Sequence, residues 1–330
     1  MKHIRCPVWG EIILSNVAIS IIDTPAFQRL HHIRQTGIAY RVFPSANTTR
    51  FEHSVGVYHI TKKLIEQVEK SSNILLCPRR KELLAIAGLV HDIGHGPFSH
   101  LFDDWITTTT STIPKKHEER SACIFKFLVD KYKISLEKDE VEWICKRLDH
   151  PPNENWFDTL ICNPYSSFDT DKLDYILRDS LHFGISHSID ENRLLLNIKV
   201  IDNKLSFCEK IKDDIEMFFL QRKKMYSKIY YHPTIQKFQQ FLLKHAFVHL
   251  PPIHDIHLFL TLTDASILNL MRPPAADYFE GRILEHIGKN YKPVPFFDTQ
   301  QKIAYHNTYF YSKKNDKERF LITMGQHFNE

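Results

Sequence analysis

The chain has 330 residues, 43% of them hydrophobic and 25% charged, with a net charge of +4. That length buries a large core, and the composition is that of a globular protein rather than a disordered or fibrous one. Residues 83–90 form an apolar run far too short to span a bilayer, and residues 1–7 carry no signal-peptide core. Six scattered cysteines with no CxxC pair exclude a zinc knuckle and point to free thiols in a reducing compartment. The expected setting is cytoplasmic, with a nuclear one left open and no membrane partner. The mild basicity suits an anionic substrate but lends nucleic-acid binding no support.

Taken in chain order, helical periodicity dominates. Residues 50–70 place Val57, Ile60, Leu64 and Val68 on one face. Residues 81–92 are apolar nearly all round, which predicts a buried helix ended by Gly94, Gly96 and Pro97. Residues 107–114 read as a polar loop. Further helices are predicted over 117–132, 141–148, 171–182 and 213–231. Proline pairs at 151–152, 251–252 and 273–274 separate helical blocks without making linkers, and there is no internal repeat. Residues 304–311 and 319–323 flank a turn-like stretch and predict a hairpin. The expected fold is mostly α, a helical core over 1–250 and a C-terminal lobe over 251–330 with a small mixed α/β part.

The chemistry concentrates among the 20 histidines. His91-Asp92 stands at the predicted end of the buried helix, followed by His95 and His100. About one His-Asp pair is expected by chance in such a chain, so the dipeptide alone carries little. His254-Asp255 shows this, since it follows two prolines and lacks both the buried helix and the glycine-rich exit. Context lifts the first pair. His53 opens an amphipathic helix upstream, and Asp171, Tyr175 and Asp179 recur at i, i+4 and i+8 downstream. A histidine, a His-Asp pair and a distant aspartate make a four-ligand N/O site for a divalent metal with room for water. Iron, manganese, zinc, cobalt and magnesium all suit such donors.

The order H…HD…D formed by His53, His91, Asp92 and Asp171 resembles the signature of the HD superfamily. Segments 22–30, 50–57, 87–100 and 171–175 look like one branch of it, the SAM-and-HD-domain deoxynucleoside triphosphate triphosphohydrolases. The similarity runs from residue 2 to about 290; no SAM module is expected ahead of the core. The resemblance implies an HD helical bundle that hydrolyses (deoxy)nucleoside triphosphates to nucleoside and triphosphate, as a homodimer or tetramer. It implies that His53, His91, Asp92 and Asp171 bind the metal, with a second magnesium accompanying the triphosphate. His95, Asp103, His117 and Glu118 match the family's catalytic cluster, and His100 the histidine near the scissile ester. Arg50, Lys172, Tyr175 and Arg222 match triphosphate-holding residues. Gln35 and Asp179 match those that read the sugar 3′-hydroxyl, with Tyr230 beside the sugar. A triphosphate needs cations, and Arg50, Lys172 and Arg222 supply them independently of any resemblance.

The chain also departs from its relatives. Thr36 stands where a leucine is packed against the sugar, which opens the choice between ribose and deoxyribose. Of the family's activator-site residues, Lys2, Asp23, Gln28, Arg193 and Lys210 are kept, while His31 and Cys208 replace arginines. Each lost arginine removes a charge-assisted contact to phosphate or base, so a weakened response to activating nucleotides is expected. Two other readings compete: an HD phosphatase acting on monophosphates or other phosphoesters, and a catalytically silent nucleotide- or nucleic-acid-binding protein.

Overall fold

A computed structural model describes residues 1–148, 151, 152, 154–288, 291 and 308–321. The chain opens on an antiparallel hairpin, β1 (Lys2–Cys6) and β2 (Gly10–Leu14). Two short helices follow, α1 (Asn16–Ile22) and α2 (Pro25–Gln28), started by the hydroxyls of Ser15 and Thr24, which accept backbone N–H groups of Ala18 and Phe27. The long α3 (Arg50–Ser72) and buried α4 (Pro78–Val90) come next, then α5 (His100–Thr107), α6 (His117–Tyr132) and α7 (Lys138–Cys145). Beyond α8 (Thr170–His182) and α9 (Glu191–Leu195) lies a second hairpin, β3 (Ile198–Ile201) and β4 (Lys204–Cys208), followed by α10 (Lys212–Met225) and α11 (Pro233–His245). Short helices α12 (Ile256–Phe259), α13 (Asp264–Leu268), α14 (Ala275–Glu280) and α15 (Leu284–Ile287) lead to strands β5 (Tyr309–Ser312) and β6 (Asn315–Leu321).

The protein is mostly helical, as its periodicity requires. The stripe Val57, Ile60, Leu64 and Val68 on α3 is fully buried, and the Thr49 hydroxyl caps that helix at Glu52 N–H. Helix α4 stops two residues short of the predicted end, so His91 is its C-cap and Asp92 lies in the following turn. Helix α7 starts earlier than predicted, because Glu137 and Glu140 form a capping box, and it ends at Cys145. The predicted helix over 213–231 breaks at Met225 into a π-helical turn, Tyr226–Tyr230. The predicted C-terminal hairpin is present as β5 and β6 around Lys313-Lys314; residues 304–307, 322 and 323 lie outside the described residues. It extends the β3–β4 hairpin through a parallel β4–β5 pairing, giving the order β3-β4-β5-β6.

Helix α3 ties two hydrophobic clusters together. Val55 and Tyr58 join the larger one, which includes residues of the first hairpin, α4, α5 and α11. Ile60, Leu64, Ile65 and Val68 join the other, with Leu173, Ile176 and Leu177 of α8 and Phe218 and Phe219 of α10. With α4 and α8 both packed on α3, the start of α3, the exit of α4 and the start of α8 meet at one place. Among the described residues, no helix is long and apolar enough to cross a membrane.

Candidate metal centre and active site

Helix α3 contributes His53 from its first turn, the α4 exit contributes His91 and Asp92, and the first turn of α8 contributes Asp171. His53 Nε2 lies 3.3 Å from His91 Nε2, 3.4 Å from Asp92 Oδ2 and 3.1 Å from Asp171 Oδ1. His91 Nε2 is 3.3 Å from Asp92 Oδ1 and 3.6 Å from Asp171 Oδ1. Donors bonded at about 2.0–2.2 Å to one ion stand roughly 3–3.5 Å apart, so His53, His91 and Asp92 are spaced to share one ion, with Asp171 beside both imidazoles. Two further contacts fix the imidazoles. His53 Nδ1–H donates to Asp174 Oδ2 at 2.8 Å, and His91 Nδ1–H to the Gly88 carbonyl at 2.8 Å, leaving both Nε2 atoms facing the centre. Asp174 is itself gripped by Arg178, at 2.9 and 2.8 Å, and by the indole N–H of Trp9. The residues present therefore fit a divalent ion held by two imidazoles and the Asp92 carboxylate, with the Asp171 carboxylate alongside.

Electrostatics point the same way. Burial works against charge on His53, but the Asp171 and Asp174 carboxylates outweigh it and lift its pKa to about 10. Burial also opposes charge on Asp92, yet Arg50, His91 and His95 hold its carboxyl well below the usual range. Asp171 is held down likewise, by His53 and His91 against its burial. So much anionic charge packed around two imidazole nitrogens is a place that a cation stabilises.

The catalytic candidates form a second group beside the first. His95 Nε2 is 3.4 Å from Asp92 Oδ1, and His95 stacks on His117 with centroids 3.8 Å apart. Asp103 accepts from His117 Nδ1–H at 2.8 Å, pairs with the buried Arg120, and lies 3.6 Å from His100 Nδ1. His117 Nε2 faces Glu118 Oε1 at 3.4 Å. His95, His100, Asp103 and His117 have the donor types of a metal site, but the Arg120 guanidinium already neutralises Asp103. That arrangement suits proton transfer better than a second cation. His95 is completely buried, and neither ring nitrogen makes a hydrogen bond among the described residues. Burial, with Arg50 and His117 nearby, pushes its pKa well down, so its imidazole is neutral. His100 is largely exposed. A cleft of about 760 Å³, lined by Asp103, Lys115, His117, Glu118, Cys162 and Tyr165 among others, opens beside this group.

The predicted substrate residues lie around these clusters. Arg50 is buried, pairs with Asp92, donates to Ser99 Oγ at 2.9 Å and reaches the Gln35 carbonyl at 3.4 Å. Lys172 sits on Asp169, the α8 N-cap, at 2.6 Å. Arg222 Nε donates to the Tyr175 hydroxyl at 3.3 Å, and Tyr230 donates to Asp179 Oδ2 at 2.6 Å. Gln35 Oε1, Thr36 Oγ1 and Asp179 Oδ1 are buried without a hydrogen-bond partner among the described residues. Burial raises the Asp179 pKa to about 6.

The activator candidates lie elsewhere. Lys2 and Asp23 form an exposed pair at 3.9 Å, and Gln28 donates to the Ile22 carbonyl. Arg193 pairs with Asp214, and Lys210 belongs to the 3₁₀ turn Glu209–Ile211. Of the arginine replacements, His31 stacks on Phe51 and Cys208 is fully buried. The incidental pair His254-Asp255 caps α12 through Asp255 and meets Thr112 through His254. Sequence reasoning missed Asp174, Arg178, Trp9 and Arg120. Only the first two left a signal, as an Asp/Arg pair at i, i+4 one turn after Asp171.

Residues 50–163 match the HD domain family. The chain is 35% identical over 296 residues to an HD domain-containing protein of Acanthamoeba polyphaga mimivirus, covering 82% of this chain and 64% of that one. To the deoxynucleoside triphosphate triphosphohydrolase SAMHD1 homolog of Dictyostelium discoideum it is 33% identical over 251 residues, 74% of this chain and 49% of the relative. To SAMHD1 of Homo sapiens, which bears the same enzyme name, it is 32% identical over 262 residues, 70% of this chain and 42% of the relative.

The chain belongs to the HD-domain proteins, and its buried cluster of His53, His91 and Asp92 has the donor types and spacing of a metal site. Within them it is a homologue of the SAMHD1 triphosphohydrolases and of the mimivirus protein. It spans 42% to 64% of the length of these three relatives.

Proposed function

We propose that the protein hydrolyses (deoxy)nucleoside triphosphates to nucleoside and intact triphosphate at a divalent metal held by His53, His91, Asp92 and Asp171. The observation that carries this reading is the convergence of His53, His91 and Asp92, with Asp171 3.1 Å from His53 Nε2, beside His95, His117 and Asp103. Its relatives' printed activity supports the substrate class. A divalent ion held by these residues would supply charge withdrawal from the phosphoryl oxygens and a water nucleophile at neutral pH. Arg50 fixes Asp92 from behind and adds positive charge toward the phosphates. His117, aligned by Asp103, and the exposed His100 are placed to move protons at the leaving oxygen. Arg222 with Tyr175 grips distal phosphates, and Gln35 and Asp179 offer unpartnered acceptors to sugar hydroxyls.

A second reading, a phosphatase of monophosphates, is favoured by one feature: Arg50 and Lys172 are already engaged by Asp92 and Asp169. Metal-loaded protein incubated with each nucleotide, followed by ion-exchange separation of early products, decides between them. Triphosphate as the first inorganic product supports the proposal. Orthophosphate first, or release from monophosphates alone, refutes it.

A further inference from the structure

Asp264 opens α13, far along the chain from the metal ligands, yet it is 3% exposed and faces the α4 exit. Its Oδ1 accepts the Phe98 N–H at 2.7 Å, and its Oδ2 accepts the Arg34 N–H at 3.0 Å. Arg29 supports the same segment from the other side, donating to the carbonyls of Leu262 and His95 at 2.8 Å each. Phe98 and Ser99 both have φ of 57°, and Ser99 has ψ of −119°. Side-chain-bearing residues hold such conformations only where their surroundings overdetermine them. The strained pair does a specific job. Ser99 Oγ donates to the Arg34 carbonyl at 2.8 Å and accepts from Arg50 Nε at 2.9 Å, and Arg50 pairs with Asp92.

We infer that Asp264 is a positioning residue for the metal centre: by clamping Phe98 and Arg34 it sets Ser99, which sets Arg50, which holds Asp92 in its ligating orientation. The two ends of the clamp, Arg34 and Phe98, come from separate segments, and one carboxylate bridges both. Asp264 therefore lies outside the HD match at 50–163 and still governs a ligand inside it. The inference rests on the reading of His53, His91, Asp92 and Asp171 as metal ligands.

The test uses the full chain, stripped by chelation and titrated with Co²⁺ against a competing chromophoric chelator, with visible absorption reporting the coordination. Asp264→Asn keeps the shape but can accept only one of the two N–H groups. Ser99→Ala breaks the relay one step nearer the metal without touching Asp264. Both should bind Co²⁺ about 10–100-fold more weakly and with an altered spectrum, as changes to groups supporting a ligand do. Ile267→Ala, a cavity variant in the same helix, serves as the stability control and should keep wild-type affinity. The inference is overturned if folded Asp264→Asn binds Co²⁺ as wild type does, or if Ser99→Ala does. It is also overturned if Ile267→Ala weakens binding as much as they do. Should Asp264→Asn fail to fold, Ser99→Ala decides alone. Wild-type protein that takes up no Co²⁺ removes the metal reading itself, an outcome distinct from a difference among variants.

Discussion

Gly56 lies one turn along α3 from His53, where that helix crosses α8. A Cβ there would stand 2.0 Å from Asp174 Oδ1 and 2.3 Å from Arg178 Nη2, whereas ordinary contact begins near 3.4 Å. In Gly56→Ala, Asp174 must therefore retreat by about 1.4 Å. The clash falls on Oδ1, and a carboxylate displaced that far should weaken or lose the 2.8 Å bond that His53 Nδ1–H makes to its Oδ2. It also disturbs the Asp174–Arg178 pair, both of whose side chains are fully buried. Breaking a buried ion pair costs about 3–5 kcal/mol, and the alanine's better helix propensity returns about 1 kcal/mol. The expected loss is roughly 2–4 kcal/mol for the metal-free chain, a large share of the 5–15 kcal/mol typical of a domain. Metal affinity should fall about 10–100-fold, because His53 loses the carboxylate that orients its ring. Gly88→Ala is the control on the neighbouring helix crossing, where a Cβ would meet Thr61 Oγ1 at 3.0 Å and Val57 at 3.3 Å, needing shifts of only tenths of an ångström. Urea unfolding in chelator gives the first quantity, and chelator-competition titration the second. If Gly56→Ala unfolds and binds metal like Gly88→Ala, the support assigned to Asp174 is wrong.

Three further predictions follow from the same geometry. His91→Ala or Asp92→Ala should abolish bound metal and turnover while far-UV circular dichroism keeps its helical signal; an active, metal-poor Asp92→Ala chain would count against the metal assignment. The Asp179 carboxyl is raised from 3.8 to about 6 in the fold, so the native state holds its proton more tightly than the unfolded chain does. Its ionisation thus costs stability as pH rises from about 4 to 6, up to roughly 3 kcal/mol, and Asp179→Asn should gain on wild type over that window in urea unfolding. A constant difference between the two chains from pH 4 to 7 would contradict this. Wild type should hydrolyse ribonucleotides slowly and without added GTP, and Thr36→Leu should suppress them about 10–200-fold; undetectable ribonucleotide turnover in wild type would rule out the role given to Thr36.

Much of the fold was legible because its signals are local. The apolar stripe of α3, the buried run of α4 and the i, i+4, i+8 face of α8 each follow from helical periodicity. The second hairpin also has a local signature: Asp202-Asn203, both at positive φ, is the kind of two-residue turn that joins twisted strands. Helix ends were harder. After α4 stops at Val90, Gly94 packs so closely on α6 that a Cβ there would stand 2.2 Å from the His117 carbonyl oxygen and 2.4 Å from Ser121 N, so only glycine fits. That constraint comes from α6 and is invisible within the segment itself.

The candidate site divides along the same line. Metal donors are betrayed by residue type and order, because few side chains ligate a divalent cation. The groups that aim them are not, because a supporting carboxylate can come from any element the fold brings near. Asp174 was half visible, tied to Asp171 by helical spacing. Asp264 reaches the α4 exit from a distant helix, and nothing local distinguishes it from a surface aspartate. The distinction appears only as burial at 3% with two backbone N–H groups converging on one carboxylate. Residues that do chemistry must be particular kinds, whereas residues that hold them need only be in the right place. The second requirement is met by tertiary structure, and so it is the sequence-distant carboxylates that a three-dimensional description adds.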